Sequence, residues 1–359
     1  MIQLNDVTKK YDGTTVVDNL SLQIDSGELC VLIGLSGCGK STTLKMINRL
    51  VEPSAGEILL DGECIKSWAP EILRRKIGYV IQDIGLFPHW TVEQNIAVVL
   101  KLLKWKPQKI RDRVTELLEL FNLKEDVFRR KYPDQLSGGQ AQRVGVARAL
   151  ASDPKVLLMD EPFGALDPIT RDTLQSELTR IQQDYKKTII FVTHDIDEAI
   201  RLANKIVIME GGRCIQYDTP EEILENPANT FVRNFIGTDR GLRRLARLSV
   251  KDKMQIATSI QLTDSFDLAK ELYARSKTVW IVDAEGKLLG WLGDISNKDG
   301  TNGLGKYLFE IDSEYPVNQN SLMKEAVSRM LWQSVQCVPV VNDQFILQGE
   351  IRFVDILNS

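Results

Sequence analysis

The chain has 359 residues and a formal net charge of −4 at pH 7, with 43% hydrophobic and 26% charged residues. The length predicts two or three domains, and the composition is typical of a soluble globular protein. The slightly acidic balance argues against a general binder of nucleic acid or of anionic membranes. Five scattered cysteines form no CxxC pair, so we expect a reducing compartment, with neither a disulfide framework nor a zinc site. The sequence shows no secretory leader and no apolar run of about 18 residues, so we expect membrane contact only through a partner.

Residues 1–33 alternate short apolar runs with turns, which predicts a small antiparallel β portion. Tyr11 stands at the first of these turns. Its ring could stack on an adenine, and the alternative is a half-buried strand tyrosine.

A glycine-rich loop follows, between an apolar strand at 28–33 and a helix that starts near Thr42. The pattern G-x-x-x-x-G-K-[ST] is matched by Gly34, Leu35, Ser36, Gly37, Cys38, Gly39, Lys40 and Ser41. Backbone N–H groups of such a loop close on phosphate oxygens, and the helix N-terminus adds positive potential. We expect Lys40 to reach the β- and γ-phosphates and the Ser41 hydroxyl to ligate Mg²⁺. A Gly/Ser-rich turn without a ligand is the alternative.

Residues 76–83 read as a strand, and Gln82 near its end could offer an amide oxygen to Mg²⁺ or to an attacking water; a surface glutamine is the alternative. An all-helical insertion is then predicted at roughly 85–150. Within it, apolar residues recur at helical spacing at Val114, Leu117, Leu118 and Phe121.

The segment 136–140, with sequence LSGGQ, is a second glycine turn that leads into a helix and is a potential second anion site.

Residues 155–161 form an apolar run, typical of a buried parallel strand, that ends in Asp160 and Glu161. Open α/β sheets place catalytic groups at such ends. We expect Asp160 to hold Mg²⁺ through water and Glu161 to orient or deprotonate the attacking water; a solvated acidic turn is the alternative. A second buried strand at 188–193 leads to His194, which could donate a hydrogen bond to a γ-phosphate. His89 has no comparable setting and is expected to be structural or on the surface.

A hairpin at 206–215 precedes the expected end of this domain near Gly237. A short basic amphipathic helix is expected as a linker at 238–250, with a leucine stripe of Leu242, Leu245 and Leu248 on one face; a contact with an anion or lipid is the alternative. Residues 251–359 contain an internal repeat in which a helix leads to a strand, a polar turn and a second strand. We expect a βαββ-type pair stacked on itself, with a flexible connection at 300–303.

Taken in chain order, the motifs resemble those of the nucleotide-binding subunit of ABC transporters over residues 1–237. They are Tyr11, the glycine loop at 34–41, Gln82, LSGGQ at 136–140, VLLMDE at 156–161, Ala-Leu-Asp at 165–167 and His194. The resemblance implies an α/β P-loop ATPase that hydrolyses ATP with Mg²⁺ and has an antiparallel β portion and a helical subdomain at about 85–150. In this family the LSGGQ of one subunit closes over the glycine loop of another, so a second copy is an implied partner.

The resemblance also implies a role for each matching residue. The implied catalytic residues are Glu161 as general base, His194 as switch and Gln82 as Mg²⁺ sensor coupled to the permease, and the implied Mg²⁺ residues are Ser41, Gln82 and Asp160. The implied ATP-binding residues are Tyr11, Gly34, Leu35, Ser36, Gly37, Cys38, Gly39, Lys40, Ser41, Thr42, Ser137, Gly138, Gly139, Gln140 and Asp167.

Segments 77–89, 162–172 and 226–237 are similar to the ATPases of quaternary-amine osmoprotectant importers, which take up glycine betaine, carnitine or choline. The repeat at 251–359 resembles their tandem CBS domains, an α+β module, although Trp280 replaces the usual proline of the first copy. The resemblance implies a peripheral position on the cytoplasmic face of the cell membrane. It also implies an integral-membrane permease and an extracellular substrate-binding protein or domain as partners. Related importers use these domains to sense ionic strength or cyclic di-AMP. Residues 250–359 hold 11 Lys/Arg against 15 Asp/Glu, so direct docking on anionic lipid is not expected.

Two other kinds of protein compete with this interpretation. One is the ATPase of an importer for another small solute, such as an amino acid or an oxyanion; sugar- and oxyanion-type subunits carry a C-terminal β-barrel, which the helix-containing repeat disfavours. The other is a soluble ABC ATPase of DNA repair or of ribosomes. Repair types need a long coiled coil between Lys40 and Ser137, where no sustained heptads occur, and ribosomal types carry two nucleotide domains.

Overall fold

The computed structural model describes residues 1–82, 85–164, 166–276, 278–296 and 303–357. Asp83, Ala165 and residues 300–302, on which some of the sequence expectations fall, lie outside these ranges. Within them, no helix has both the length and the apolar character needed to cross a membrane. The chain divides into two compact units, Met1–Thr238 and Asp239–Ser359.

The strands of the first unit form an antiparallel sheet of order β2-β1-β4-β5 and a larger sheet of order β10-β9-β3-β8-β7-β6. In the larger sheet, every pair of neighbours is parallel except the β9–β10 hairpin. The strands are β1 (Ile2–Tyr11), β2 (Thr14–Ile24), β3 (Leu29–Gly34), β4 (Ala55–Leu60), β5 (Glu63–Cys64), β6 (Ile77–Val80), β7 (Val156–Asp160), β8 (Thr188–Val192), β9 (Lys205–Glu210) and β10 (Arg213–Asp218).

The helices of the first unit include the predicted helical insertion, which contains α3 to α6. They are α1 (Lys40–Ile47), α2 (Pro70–Lys76), α3 (Val92–Leu102), α4 (Pro107–Leu120), α5 (Glu125–Phe128), α6 (Gly138–Leu150), α7 (Pro168–Tyr185), α8 (Ile196–Leu202), α9 (Pro220–Glu225) and α10 (Thr230–Ile236).

The central strands are buried on both faces, which explains their nearly continuous apolar sequences. In β3, Leu29, Val31 and Ile33 pack into a core shared with the helices, whereas Cys30 and Leu32 pack into a core shared with the antiparallel sheet. This alternation follows from the two-residue period of a strand. Because β3, β8, β7 and β6 are parallel neighbours, their carboxyl ends all open on one edge of the sheet.

The second unit contains the predicted repeat. A strand, a helix and an antiparallel pair of strands occur twice, as β11-α13-β12-β13 and β15-α14-β16-β17, and in each copy the strand before the helix pairs in parallel with the strand after it. The strands are β11 (Ser259–Gln261), β12 (Trp280–Val282), β13 (Leu288–Leu292), β14 (Leu308–Glu310), β15 (Val317–Asn318), β16 (Cys337–Val341) and β17 (Leu347–Arg352). The helices are α11 (Arg240–Leu245), α12 (Val250–Lys253), α13 (Phe266–Arg275), α14 (Met323–Gln333) and α15 (Phe353–Leu357).

The segment expected as a linker at 238–250 packs against the second repeat copy. Leu245 and Val250 are buried with Met323 and Val338 in one apolar core, and Leu242 is exposed. The leucine stripe inferred for this segment is therefore incomplete, because α11 ends at Leu245 after less than two turns.

Candidate functional site

The glycine loop joins the carboxyl end of β3 to the start of α1, as the sequence predicts. Lys40 is 6% exposed, and its Nζ donates to the carbonyl oxygens of Gly34 at 2.7 Å and Leu35 at 3.0 Å. A buried ammonium is costly unless polar groups surround it. The loop therefore holds a positive charge at its centre, where an anionic phosphate would be stabilised.

Two glycines of this loop are required by close backbone contacts. A Cβ at Gly34 would lie 2.2 Å from the Met209 carbonyl oxygen, and one at Gly39 would lie 2.7 Å from the Val16 carbonyl oxygen. Gly39 also has a φ of +100°, a conformation that side chains disfavour. The backbone of the loop thus lies in close contact with β9 and β2.

Ser41 and Asp160 meet across two elements, α1 and the end of β7. The Ser41 hydroxyl donates to Asp160 Oδ1 at 2.8 Å. Burial raises the pKa of the Asp160 carboxyl above its usual range, and the bond from Ser41 opposes that shift. A hydroxyl and a carboxylate are hard oxygen donors of the kind that Mg²⁺ prefers. The pair fits the predicted Mg²⁺ site.

Glu161 lies beside the two other predicted catalytic side chains. Its Oε2 is 3.1 Å from His194 Nδ1 and 3.5 Å from Gln82 Nε2. These residues come from the ends of three neighbouring strands, β8, β6 and β7. Glu161 also has a φ of +44°, a left-handed conformation that is uncommon for a residue other than glycine, asparagine or aspartate. The sequence predicted the grouping and gave no sign of the backbone conformation.

A buried polar network behind His194 escaped the sequence analysis. Glu198 is buried, accepts a hydrogen bond from Thr193 Oγ1 at 2.7 Å and lies 3.7 Å from Arg171 Nε. Burial raises the pKa of the Glu198 carboxyl, and the Thr193 hydroxyl partly opposes that shift. Thr193 Oγ1 also accepts from the backbone N–H of Asp195 at 3.0 Å. The network therefore fixes the backbone on both sides of His194. The one available sequence signal is a glutamate in the first turn of α8.

The LSGGQ segment caps α6. Ser137 Oγ accepts from the Gln140 N–H at 3.3 Å, and Gln140 Oε1 accepts from the Ser137 N–H at 3.1 Å. A Cβ at Gly139 would lie 2.3 Å from Thr170 Cγ2, so this turn lies against the start of α7. In the described part of the single chain, no hydrogen bond joins Ser137 or Gln140 to the glycine loop.

Asp167 and Tyr11 occupy exposed positions. Asp167 caps α7 by accepting from the Thr170 N–H at 3.0 Å, and this bond lowers the pKa of the Asp167 carboxyl. Tyr11 ends β1 with its ring exposed, and Lys9 Nζ lies 4.7 Å from the ring centroid. His89 is exposed, as expected.

These observations define a P-loop ATPase. Its parallel sheet has a phosphate-binding loop at the end of β3 and the acidic pair Asp160 and Glu161 at the end of β7, with β8 between the two strands. The chain belongs to the ABC transporter family, whose sequence model matches residues 17–164.

Curated relatives match the whole chain. It is 45% identical to the glycine betaine/carnitine/choline transport ATP-binding protein OpuCA of Bacillus subtilis, over 100% of this chain and 96% of that protein. It is 41% identical to the osmoprotectant import ATP-binding protein OsmV of Salmonella typhimurium, over 100% and 97%. The glycine betaine uptake system ATP-binding protein YehX of Escherichia coli is 53% identical over 77% of this chain and 88% of its own length.

A solved structure agrees with the fold. The dimeric structure of MJ0796, a bacterial ABC transporter cassette, aligns with a TM-score of 0.57 and 36% identity, covering 61% of this chain and 99% of its own. A post-hydrolysis dimer of the same cassette, bound to ADP and Pi, aligns with a TM-score of 0.56 and 35% identity, over 61% of this chain and 99% of its own.

Proposed function

We propose that this chain is the ATPase subunit that energises import of a quaternary-amine osmoprotectant (glycine betaine, carnitine or choline) through a membrane permease. The observation that carries the proposal is 45% identity over the whole chain to OpuCA of Bacillus subtilis. A choline transport ATP-binding protein of the same organism, OpuBA, matches at 45% over 100% of this chain. The subunit lies on the cytoplasmic face of the cell membrane, where it contacts the permease. An extracellular binding protein or domain delivers the solute.

We assign the residues of the nucleotide site as follows. Lys40 and the backbone of the glycine loop bind the phosphates of ATP, and Tyr11 stacks on the adenine. Ser41, Gln82 and Asp160 would hold Mg²⁺, which would neutralise phosphate charge. The ATP-binding set is Gly34, Leu35, Ser36, Gly37, Cys38, Gly39, Lys40, Ser41, Thr42, Tyr11, Ser137, Gly138, Gly139, Gln140 and Asp167.

Glu161 acts as the general base. It takes a proton from the attacking water, while His194 and Gln82 orient its carboxylate from either side. The left-handed backbone of Glu161 turns its side chain toward these partners. Ser137 and Gly139, at the start of α6, contact the γ-phosphate that a second copy binds. Asp167 lies at the seam between the copies.

Glu161→Gln tests the base. The amide keeps the size of the side chain but cannot accept a proton, so ATP turnover is lost while ATP stays bound. Turnover is measured by phosphate release, and retained nucleotide by gel filtration. Glu119→Gln, an exposed position on α4, is the matched control and keeps wild-type turnover. Normal hydrolysis by Glu161→Gln would contradict the assignment.

Uptake tests the substrate class. The import complex is reconstituted in vesicles with ATP on the side of this chain, and entry of radiolabelled glycine betaine, carnitine and choline is measured. A complex that contains Glu161→Gln gives the background. We expect ATP-dependent uptake of at least one of the three. Uptake of an amino acid or an oxyanion alone would assign the chain to another importer.

We propose that residues 1–237 form the nucleotide-binding domain and residues 251–359 a CBS-like regulatory domain. The segment 238–250 joins the two. A salt titration of ATPase activity, with calorimetry of cyclic di-AMP against the full chain, tests this regulation. If salt leaves the activity unchanged and cyclic di-AMP does not bind, the second unit does not regulate turnover by these routes.

A further inference from the structure

Aromatic residues form a row across three strands of the second unit. Trp280 on β12 is the register partner of Trp291 on β13, and Trp291 is the partner of Phe309 on β14. Residues directly opposite on neighbouring strands project from the same face of a sheet. The opposite face, with Ile281 and Leu292, packs against α13. The aromatic row therefore faces away from that core.

The row lines a cavity of about 400 Å³, together with Tyr315 and Asp294. Tyr315 stacks on Trp291 with ring centroids 5.2 Å apart and meets Trp280 edge-on at 6.4 Å. Phe309 stacks on the Trp291 ring at 5.7 Å. Trp291 and Phe309 are nearly parallel, with 6° between their planes, whereas Tyr315 is inclined at 60° to Trp280. Trp280 is buried and Phe309 is exposed.

Trp280 is held in place by the other repeat copy. Its Nε1 donates to Glu350 Oε2 at 2.7 Å, and Glu350 is completely buried. The other carboxylate oxygen accepts from Arg352 Nε at 2.6 Å. A buried carboxylate with charged and neutral donors is well stabilised. The orientation of the Trp280 ring is therefore preset.

A second cavity of about 250 Å³ adjoins the first and carries the opposite charge. The two share Thr278, Gln336 and Cys337 in their linings, and the second is lined by Arg275 and Arg352. Arg275 pairs with Glu271 at 2.6 Å, and Arg352 pairs with Glu350. Each guanidinium has five N–H donors, which exceeds the demand of one carboxylate.

We propose that these joined cavities bind a zwitterionic quaternary amine, with the methylated ammonium among the aromatic rings and the carboxylate toward the two arginines. Aromatic faces attract a quaternary ammonium through the ring quadrupole, and the Asp294 carboxylate adds favourable charge. Asp294 also accepts from the Ser296 N–H at 2.9 Å, which fixes its orientation at the exposed side.

A flat nucleobase suits the same aromatic surface less well. It needs two parallel ring faces with space between them, whereas the nearly parallel rings of Trp291 and Phe309 already stack on each other. The other face of Phe309, a residue that is 55% exposed, can still meet a methylated ammonium. A near-spherical methylated ammonium requires no such slot. It also carries no phosphate that the carboxylate of Asp294 would repel.

The site has a regulatory meaning that rests on the proposed function. If the importer brings in a betaine, this subunit meets the accumulated solute in its own compartment. Occupancy of the second unit then reports how much solute has entered. Binding to the purified chain and uptake by the complex are measured separately, so failure of one is distinguishable from failure of the other.

The test is calorimetry of the purified full chain with glycine betaine, glycine and choline. Glycine has the same charges without the methyl groups, and choline has the methyl groups without the carboxylate. We expect glycine betaine to bind, glycine to bind at least tenfold more weakly and choline to be weaker than glycine betaine. Phe309→Leu removes an aromatic face at a position that is 55% exposed and should weaken binding roughly three- to thirtyfold.

Trp332→Leu is the control, because Trp332 is 89% exposed and outside both cavities; it should leave the affinity unchanged. Thermal unfolding checks that each variant is folded. Equal affinities for glycine and glycine betaine would overturn the aromatic site, and equal affinities for choline and glycine betaine would overturn the role of the arginines. Cyclic di-AMP is titrated as well. If cyclic di-AMP binds, Phe309→Leu weakens that binding and glycine betaine does not bind, the cavity would be assigned to a nucleotide instead.

Discussion

At the scale of single residues, Glu161, the proposed general base, has an unfavourable backbone conformation. Its φ of +44° costs on the order of 1 kcal/mol for a residue with a Cβ. The conformation is held by its N–H bond to the Val192 carbonyl at 3.0 Å and by the contact with His194. Strain of this kind persists only where the surrounding structure enforces it.

Glycine and alanine at this position therefore separate backbone strain from lost contacts. We expect Glu161→Gly to be more stable than Glu161→Ala by about 1 kcal/mol, because both lose the carboxylate and only alanine keeps the strain. At Glu119, inside α4, the order should reverse by about 1 kcal/mol. Urea unfolding of the four variants measures both differences. The same order at both positions would contradict the strain at Glu161.

Glu198 predicts a pH dependence. Burial raises its pKa in the folded chain, so between the unfolded and folded pKa values the folded chain binds more protons. Stability contributed by this group is therefore greatest at low pH and falls as pH rises through that interval. We expect the stability of the wild type relative to Glu198→Gln to decrease as pH rises from acid to neutral. Unfolding curves at a series of pH values measure it, and a constant difference would count against the raised pKa.

At the scale of elements, α3 and α6 begin in the same way. Thr91 and Gln94 form a reciprocal capping box at α3, and Ser137 and Gln140 form the same arrangement at α6. Removing such a cap costs about 1 kcal/mol. The two helices thus provide a matched pair that differs in the proposed contact of Ser137 with a nucleotide.

We expect Thr91→Ala and Ser137→Ala to lose similar stability, about 1 kcal/mol each. Only Ser137→Ala should also lower ATP turnover of the purified protein, because its hydroxyl is proposed to contact the γ-phosphate that the second copy binds. Thermal unfolding and phosphate release measure the two effects. Equal turnover in the two variants would show that Ser137 acts only as a helix cap and does not contact the nucleotide.

Sequence reasoning succeeded where the relevant information is local. Buried apolar strands that end in Asp160 and His194 predicted a shared sheet edge, because parallel strands align their carboxyl ends. Sequence patterns do not predict contacts between residues that lie far apart along the chain. Trp280 and Phe309 share a row only through the register of β13, and strand register is set by tertiary packing. Ser41 and Asp160 are each predicted from local motifs as Mg²⁺ residues, but the direct bond between them spans 119 positions and has no local signal.

At the scale of the whole molecule, the proposed nucleotide site draws on two copies of the chain. Among the described residues of one chain, no hydrogen bond joins Ser137 or Gln140 to the glycine loop, and these two residues bond to each other. The glycine loop lies at the end of β3, whereas Ser137 and Gly139 lie against the start of α7. Solved relatives of this fold form cassette dimers. A twofold dimer gives two identical composite sites, each with a glycine loop from one copy and an LSGGQ segment from the other.

Mixing two defective variants tests this arrangement. Both variants are made on a Glu161→Gln background. Chains that also carry Lys40→Ala should trap no ATP, because the ammonium proposed to bind the phosphates is missing. Chains that also carry Ser137→Arg should trap none, because the arginine blocks the LSGGQ segment that closes over the other copy. In a mixed dimer, the glycine loop of the second variant meets the intact LSGGQ of the first. An equal mixture should therefore trap about a quarter of the ATP held by Glu161→Gln alone, since half of the dimers are mixed and each has one intact site. Retained radiolabelled ATP after gel filtration measures it. If each site lies within one chain, the mixture traps no more than its components.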